Sequence, residues 1–286
     1  MIIFLIKLIA APLLLALATL AARRWGTVLG GILIGLPLIS GPISVFLAIE
    51  NGAGFAVETA RGALAGTVAL AVFTCVYAAV CPKGWLKASF LSVALYVLAS
   101  WIAAELPISA VTLAVSAAAA IVLSLWIMPV PHSAAVKHRP PKHDLLMRMG
   151  MMMVLMIAIT FLAPYIGPTA SGIASTFPYM ALTMAVFSQI QGGPDDARRA
   201  MHGLMLGMYS GLAFNAVVWT LAAEDRLLIA YAAATAAALA AQGVVLALTL
   251  KKQHNVCLIQ CLLRHFLFEN ISSFRLCGPL SRKKHC

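Results

Sequence analysis

Charge is scarce in this chain, and acidic charge is scarcest. Of the 286 residues, 10% are charged, and nine Asp or Glu stand against twenty Lys or Arg, which gives a formal net charge of +11. The sequence has no phosphate loop, dinucleotide fingerprint, nucleophile motif or pair of catalytic carboxylates. We therefore expect no enzyme and no bound cofactor.

The six cysteines do not form a disulfide framework. Cys75 and Cys81 stand in or beside one apolar segment, and the other four lie in the last 30 residues. A small secreted scaffold would spread its cysteines along the chain. Free thiols are therefore the expectation.

Apolar residues are abundant instead. They make up 62% of the chain, mean hydropathy is +0.97, and the apolar runs repeatedly exceed the roughly 18 residues that indicate a membrane helix. The chain is thus expected to be an integral membrane protein with the lipid bilayer as its partner. Nucleic acid is a poor explanation of the basic charge, because Lys and Arg also collect in cytoplasmic loops of membrane proteins.

The apolar runs, which short polar stretches separate, predict an all-α bundle of nine transmembrane spans. Their expected positions are 1–21, 27–49, 56–80, 85–104, 107–128, 146–165, 168–190, 197–222 and 227–250. The first run could be a signal peptide, but its start is not basic and Arg23 and Arg24 follow it, so we expect a first helix.

Basic residues follow every odd-numbered span. The even junctions are short and neutral or acidic, with Arg226 as the exception. The positive-inside rule then predicts a multi-pass membrane protein with its N-terminus outside and its C-terminus in the cytoplasm.

The sequence contains an internal repeat. When it is shifted by 141 residues, eleven positions between 26 and 66 are identical, and six of them are glycine or proline. Shared hydrophobicity would match leucines and alanines but not these residues, which indicates a duplication. The six pairs are Gly26/Gly167, Gly31/Gly172, Pro37/Pro178, Gly52/Gly193, Gly62/Gly203 and Gly66/Gly207.

An extra span between the halves inverts the second relative to the first. The predicted organisation is a four-span repeat over 1–105, a linking span and basic loop over 106–144, an inverted four-span repeat over 145–250, and a basic tail over 251–286. Inverted repeats with helices interrupted at matching positions are typical of transporters with a midplane site.

Spans two and seven carry these interruptions, in GILIGLPLISGP and around Pro178. Broken backbone at membrane depth is tolerated where protein buries it or a cavity solvates it, so these residues are candidates for binding a solute. The alternative is a packing kink, with hydroxyls that only rebond freed carbonyls. The candidates are Pro37, Ser40, Gly41, Pro42, Ser44, Pro178, Tyr179 and Thr183.

Ionisable residues near the starts of spans three and eight form a second candidate group. Glu58 and Arg61 are three apart, and Arg198 and His202 are four apart. In a shared vestibule Glu58 and His202 could exchange protons while the arginines attract anions. The alternative is that all four snorkel toward lipid headgroups.

Other polar residues have structural interpretations. Asp195 and Asp196 suit a helix N-terminus, Lys7 and Arg148 are expected to snorkel, and Asn215 fits an interhelical hydrogen bond.

Glycines four apart predict close helix packing. Gly62 and Gly66 lie on span three, and Gly203 and Gly207 on span eight. We expect these two spans to meet at the pseudo-two-fold axis, with packing inside each half as the alternative.

Histidines at 132, 138 and 143 fit no structural-zinc spacing, so a solvated linker is expected and no metal site.

The tail, residues 251–286, lacks alanine and is rich in cysteine and basic residues. It either lies on the inner membrane surface or is foreign to the original fold.

The residues LPLISGPISVFLAIENG (36–52) and FPYMAL (177–182) resemble the GlpM-like family of small four-span bacterial membrane proteins. The resemblance covers about a third of the chain. It implies an inner-membrane protein and carries no established chemistry. Here two such units would be fused.

The sequence leaves two functions open. One is a secondary transporter that moves a small solute or ion by alternating access. The other is a non-transporting scaffold or accessory subunit that binds membrane helices or lipid. The oligomeric state is not predicted.

Overall fold

The computed structural model describes residues 2–34, 44–45, 48, 52–105, 109–131, 143–162, 177–222 and 227–272. Regular structure in these ranges is helical, with one short 3-10 turn at Cys81–Lys83. The α-helices are α1 (Ile2–Trp25), α2 (Thr27–Ile34), α3 (Ala53–Val80), α4 (Trp85–Glu105), α5 (Ala110–Ile127), α6 (Asp144–Leu162), α7 (Tyr179–Gly192), α8 (Pro194–Ala222) and α9 (Leu227–Ser272).

The all-helical membrane character expected from the sequence is confirmed. In the described ranges four helices are long and apolar enough to cross a bilayer: Ala53–Lys83, Trp85–Ala103, Pro194–Ala222 and Leu227–Thr249. Large apolar side chains such as Phe90, Trp126 and Leu228 are exposed on α4, α5 and α9. Such surfaces suit contact with lipid. The full set of nine spans and the repeat remain predictions.

Local sequence explains where several helices begin. Pro194 occupies the first position of α8, where its missing N–H costs nothing, and Asp195 and Asp196 follow in the first turn. Ser109 caps α5 by accepting a hydrogen bond from the Thr112 N–H at 3.2 Å. The two aspartates therefore stand at a helix N-terminus, as their sequence position predicts.

The structure divides into two compact units, Met1–Gln242 and Gly243–Cys286. In the first unit α8 is central and contacts α2, α3, α5 and α7. Helices α2 and α3 of the first predicted repeat thus pack on α8 of the second. In the second unit α9 continues as a helix to Ser272, and the Thr249 hydroxyl donates to the Val245 carbonyl at 2.7 Å.

Two glycines that the repeat pairs make the same turn. Gly52 precedes α3 with φ 87° and ψ 178°, and Gly193 precedes α8 with φ 79° and ψ −175°. Each donates its N–H to the residue four positions earlier, at 2.8 Å to Ala48 and at 2.9 Å to Gln189. A positive φ favours glycine over any residue with a side chain. The same requirement therefore holds at both matched positions.

A close backbone contact joins α2 to α8. A Cβ atom added to Gly203 would overlap the Val28 carbonyl oxygen, and one added to Gly31 would overlap the Ala200 carbonyl oxygen. Gly62, the repeat partner of Gly203, has nothing within 4 Å of such an atom. Spans three and eight do pack together, as α3 and α8. The expectation that Gly62 mediates this packing is wrong, and Gly203 instead serves the contact with α2.

The second glycine of each predicted pair differs in burial. Gly207 is buried on α8, whereas Gly66 is half-buried on α3. The small-residue stripe of α8 is therefore the one enclosed by neighbouring helices.

We predict that Gly203→Ala destabilises the protein by about 1–3 kcal/mol, because the added methyl group must push two helix backbones apart. Thermal unfolding in detergent, followed by circular dichroism, measures the effect. Gly62→Ala is the matched control and should leave the midpoint unchanged or raise it, since alanine is the better helix former. Equal losses in both variants would contradict the α2–α8 contact.

Candidate functional site at the basic end

Four junctions of the chain meet at one end of the first unit, which we call the basic end. Arg23 follows α1, Cys81 follows α3, Asp144 opens α6, and Gln191 closes α7. Arg23 contacts Asp144, and Gln189 donates to the Cys81 carbonyl at 2.6 Å. All four are odd-numbered junctions of the nine predicted spans, so residues that the sequence predicts on one side of the membrane lie together in the fold.

Asp144 is at the centre of this end, and its side chain is 0% exposed. Its Oδ2 accepts a hydrogen bond from Arg23 Nη2 at 2.5 Å. Arg148 Nε donates to Oδ1 at 3.0 Å and to Oδ2 at 3.1 Å, and Gln191 Nε2 also donates to Oδ1. We call Arg23, Asp144, Arg148 and Gln191 the arginine–aspartate cluster.

Helix ends position these four side chains. Asp144 and Arg148 are one turn apart on α6, so they share a helix face. Arg23 lies in the last turn of α1 and Asp144 in the first turn of α6, where each charge is favoured by the helix dipole. The cluster therefore forms where three helix termini converge.

Arg148 is enclosed on several sides. Its side chain is 5% exposed. Nη2 donates to Gln191 Oε1 at 3.0 Å, Nη1 lies 3.5 Å from Met184 Sδ, and the guanidinium stands 5.0 Å from the Phe187 ring centroid. The expectation that Arg148 snorkels toward headgroups is wrong, because a carboxylate one turn away and an amide on α7 supply partners inside the protein. The side chain of Lys7, its repeat partner, lies outside the described residues.

The cluster holds one carboxylate and two guanidinium groups. Burial by itself raises the pKa of the Asp144 carboxyl, but the Arg23 hydrogen bond and the Arg148 charge, together with Gln191, lower that pKa below its ordinary value. Asp144 is therefore ionised at neutral pH. One positive charge remains in excess.

A second set of contacts fastens α3 to α7 and α8. Tyr77 OH donates to Gln189 Oε1 at 2.9 Å, and Arg198 Nε donates to the Ala78 carbonyl at 3.2 Å. Arg198 also pairs with Asp195 at 3.1 Å. The predicted anion-attracting Arg198 is thus engaged by a carboxylate and a carbonyl in this structure.

A neighbouring pair depends on a glycine. Arg199 pairs with Asp196, and both side chains are almost buried. A Cβ atom on Gly192 would overlap the Asp196 carboxylate, so glycine makes room for it.

Glu58 and His202 lie at opposite ends of the α3–α8 pair. The start of α3, at Ala56 and Ala60, packs with Phe214 and Val218 near the end of α8, so the two helices run antiparallel. Arg198 meets Ala78, about 30 Å along α3 from Glu58 at 1.5 Å per residue. The hypothesis of a vestibule in which Glu58 and His202 exchange protons is therefore wrong. Whether either residue binds a solute stays a prediction.

The Glu58–Arg61 pair is a surface ion pair. Arg61 Nη1 lies 3.6 Å from Glu58 Oε2, and the Glu58 side chain is 70% exposed. Such pairs contribute at most about 1 kcal/mol.

The break in span seven is described only from Phe177 onward. Pro178 is buried at the N-cap of α7, and Tyr179 is the first helical residue. The Thr183 hydroxyl is fully buried and donates to the Tyr179 carbonyl at 2.8 Å. In this structure Thr183 thus bonds a carbonyl one turn earlier in α7, and whether it lines a polar path stays a prediction.

The break in span two lies mostly outside the described residues, since Pro37, Ser40, Gly41 and Pro42 are not among them. Ser44 is described and buried. Its Oγ lies 2.7 Å from the Tyr231 hydroxyl, which also donates to the Ser44 carbonyl at 2.9 Å. Ser44 is therefore tied to the first turns of α9.

Asn215 does not form the expected interhelical bond among the described contacts. Its Nδ2 donates to the Gly211 carbonyl of the same helix at 2.8 Å.

His143 is exposed, while His132 and His138 lie outside the described residues. Over the described ranges, no three His, Cys, Asp or Glu side chains are grouped closely enough to hold a metal ion.

Sequence reasoning did not identify Arg23, Asp144 or Gln191 as site residues. One signal was available, because Asp144 is the only acidic residue between Glu105 and Asp195. An isolated carboxylate at the start of an apolar helix, one turn before an arginine, indicates a buried ion pair when a second cation can reach it.

Comparisons with protein-family models, curated proteins and solved structures give no match for this chain. The resemblance to GlpM-like proteins therefore stays a prediction from the residues that carry it.

Stability is expected to fall in acid through Asp144. Its folded pKa lies below that of the unfolded chain, so its stabilising contribution is complete above about pH 4 and is lost as the pH falls through the folded value. Unfolding midpoints of the wild type and of Asp144→Asn, compared from pH 7 to pH 3, isolate this contribution. Other carboxylates are common to both proteins and cancel.

At pH 7 we expect Asp144→Asn to be less stable by about 2–4 kcal/mol, because two guanidinium groups lose their counter-charge. The difference between the proteins should shrink toward pH 3. A constant difference across this range would show that the Asp144 charge does not stabilise the fold.

Proposed function

We propose that the protein is a secondary transporter that moves a small solute or ion across the bacterial inner membrane by alternating access. In this proposal two inverted four-helix halves, spans one to four and six to nine, surround the translocation path. The N-terminus is outside, and the basic end faces the cytoplasm.

The observation that carries the proposal is the arginine–aspartate cluster between α1 and α6. These are the first helices of the two predicted halves, and they contact each other. Buried ionisable residues in membrane bundles are expensive and mark substrate or ion pathways. A protein that needed only close packing would gain more from apolar side chains at this position.

Two further observations support an inverted repeat that moves. Gly52 and Gly193 make the same positive-φ turn, which is what duplicated segments would do. Gly203 and Gly62, also paired, differ: the first is packed on α2 and the second is open. In alternating access the two halves hold different conformations at one time and exchange them, so such a difference between paired positions fits the proposal.

The orientation rests on the shared location of the odd junctions. Arg23, Asp144 and Gln191 bring three of them into direct contact. Under the positive-inside rule that side is cytoplasmic.

A specific observation also favours the scaffold alternative. An apolar groove of about 420 Å³ lies between α1 and α2, and its lining includes Leu17, Leu20, Leu33 and Arg24. An acyl chain with an anionic headgroup would suit it. In that case the protein binds lipid or a partner helix without moving a solute.

Cysteine labelling separates the two functions. On a background without native cysteines, Thr183→Cys and Ser44→Cys are treated with a membrane-impermeant thiol reagent from each side, with and without proton or sodium gradients. Both positions are buried in this structure. We expect labelling that depends on the gradient, because the alternate state opens these helices to water.

Ala71→Cys is the matched control, since Ala71 is fully buried on α3, a helix that carries neither break. It should remain unlabelled throughout. If Thr183→Cys and Ser44→Cys behave like this control under every gradient, the transporter proposal fails and the scaffold is favoured.

A further inference from the structure

The arginine–aspartate cluster has more donors than acceptors. Arg148 Nη1 has the Met184 thioether sulfur as its contact among the described residues, and thioethers are weak acceptors. Arg23 Nε is buried and has no hydrogen-bond partner in the described part of the chain. Leaving a buried donor unsatisfied is costly, and a charged donor more so.

The charge of the cluster is also unbalanced, and its neighbours among the described residues do not correct it. Arg23 and Arg148 both donate to the same oxygen, Asp144 Oδ2, so two like charges lie close together. The nearby carboxylates of Asp195 and Asp196 are paired with arginines of their own helix. The segment 132–143 leads into Asp144 with Lys137, Arg139 and Lys142 and contains no acidic residue.

We propose that the arginine–aspartate cluster is a binding site for a carboxylate- or phosphate-bearing anion. The guanidinium fork matches both groups in a bidentate geometry. In this structure Asp144 and Gln191 hold the arginines in position, and the anion supplies an acceptor for Arg23 Nε and a stronger one than the Met184 sulfur for Arg148 Nη1.

Access is from the Arg23 side. The Arg23 side chain is 34% exposed, whereas Arg148 and Asp144 are enclosed behind it. An anion therefore meets Arg23 first and reaches Arg148 next. Because Asp144 competes for the same donors, binding is moderate in strength and reversible, as a transported solute requires.

This inference rests on the proposed function only in naming the solute class, since binding is measured without transport. Purified protein in a nonionic detergent is titrated with sodium acetate and with inorganic phosphate, with chloride as reference, at constant ionic strength and pH 7. Isothermal calorimetry gives the affinity, and the unfolding midpoint gives an independent readout.

Arg23→Gln and Arg148→Gln should each weaken binding about tenfold or more, because each removes a charge-assisted hydrogen bond to the anion. Lys87→Gln is the control, because it removes one positive charge from an exposed residue of α4 outside the cluster. It should leave affinity unchanged. Arg23 is partly exposed, so its variant is expected to fold even if Arg148→Gln does not.

Asp144→Asn gives a readout that a purely structural role would not produce. Removing the competing carboxylate should tighten anion binding several-fold, although the variant is less stable without ligand. Weaker binding in Asp144→Asn, or equal binding in the wild type and Arg23→Gln, would overturn the site.

Two sources could supply the anionic group. If acetate or phosphate binds, the source is a free anion. If only mixed micelles with phosphatidylglycerol stabilise the wild type, and Arg23→Gln abolishes that effect, the same site holds a lipid headgroup. No saturable effect from any of the three would overturn the proposal.

Uptake of radiolabelled acetate or phosphate into proteoliposomes tests transport separately. Binding without uptake would support the anion-binding site and contradict the proposed transporter function. Uptake that is unaffected in Arg23→Gln would keep the transporter and place its substrate site elsewhere.

Discussion

A carboxylate with no exposure to solvent has to be neutralised by its surroundings, and the basic end of this protein is organised around that requirement. Asp144 accepts hydrogen bonds from Arg23 of α1, from Arg148 of its own helix and from Gln191 of α7. Removing charges from water costs several kcal/mol for each ion, so the partners must be held in good geometry. The helix ends that carry them are fixed as a result, and α3 is fastened beside them through Gln189 and Arg198.

Glycine supplies the complementary constraint. The α2–α8 contact is so close that no side chain fits at Gly31 or Gly203, and without water to drive helices together such packing is a main source of attraction in a bilayer. The cluster sets which helix ends meet, and the glycines set how near α2 and α8 approach. Both features join helices of the first predicted half to helices of the second within the unit Met1–Gln242.

Sequence periodicity and hydropathy predict α3, α4, α5 and α8 within three residues at either end, because long apolar runs bounded by charge or glycine have few alternatives. They also predict which junctions share a side. They do not predict that Arg148 is buried, since snorkelling depends on whether another helix offers a partner. The same holds for Gly203, because a small residue suits any close neighbour, and for Glu58 and His202, which antiparallel packing separates.

The most direct test of the central claim, that a buried charge network joins the basic end, is a double-mutant cycle on Asp144 and Arg148. Unfolding free energies of the wild type, Asp144→Asn, Arg148→Gln and the double variant are measured in the same detergent at pH 7. We expect a coupling energy of at least about 1.5 kcal/mol, because the two groups contact each other out of water. Additive losses, with coupling below about 0.5 kcal/mol, would mean that the charges act independently and that the network does not hold the helices together.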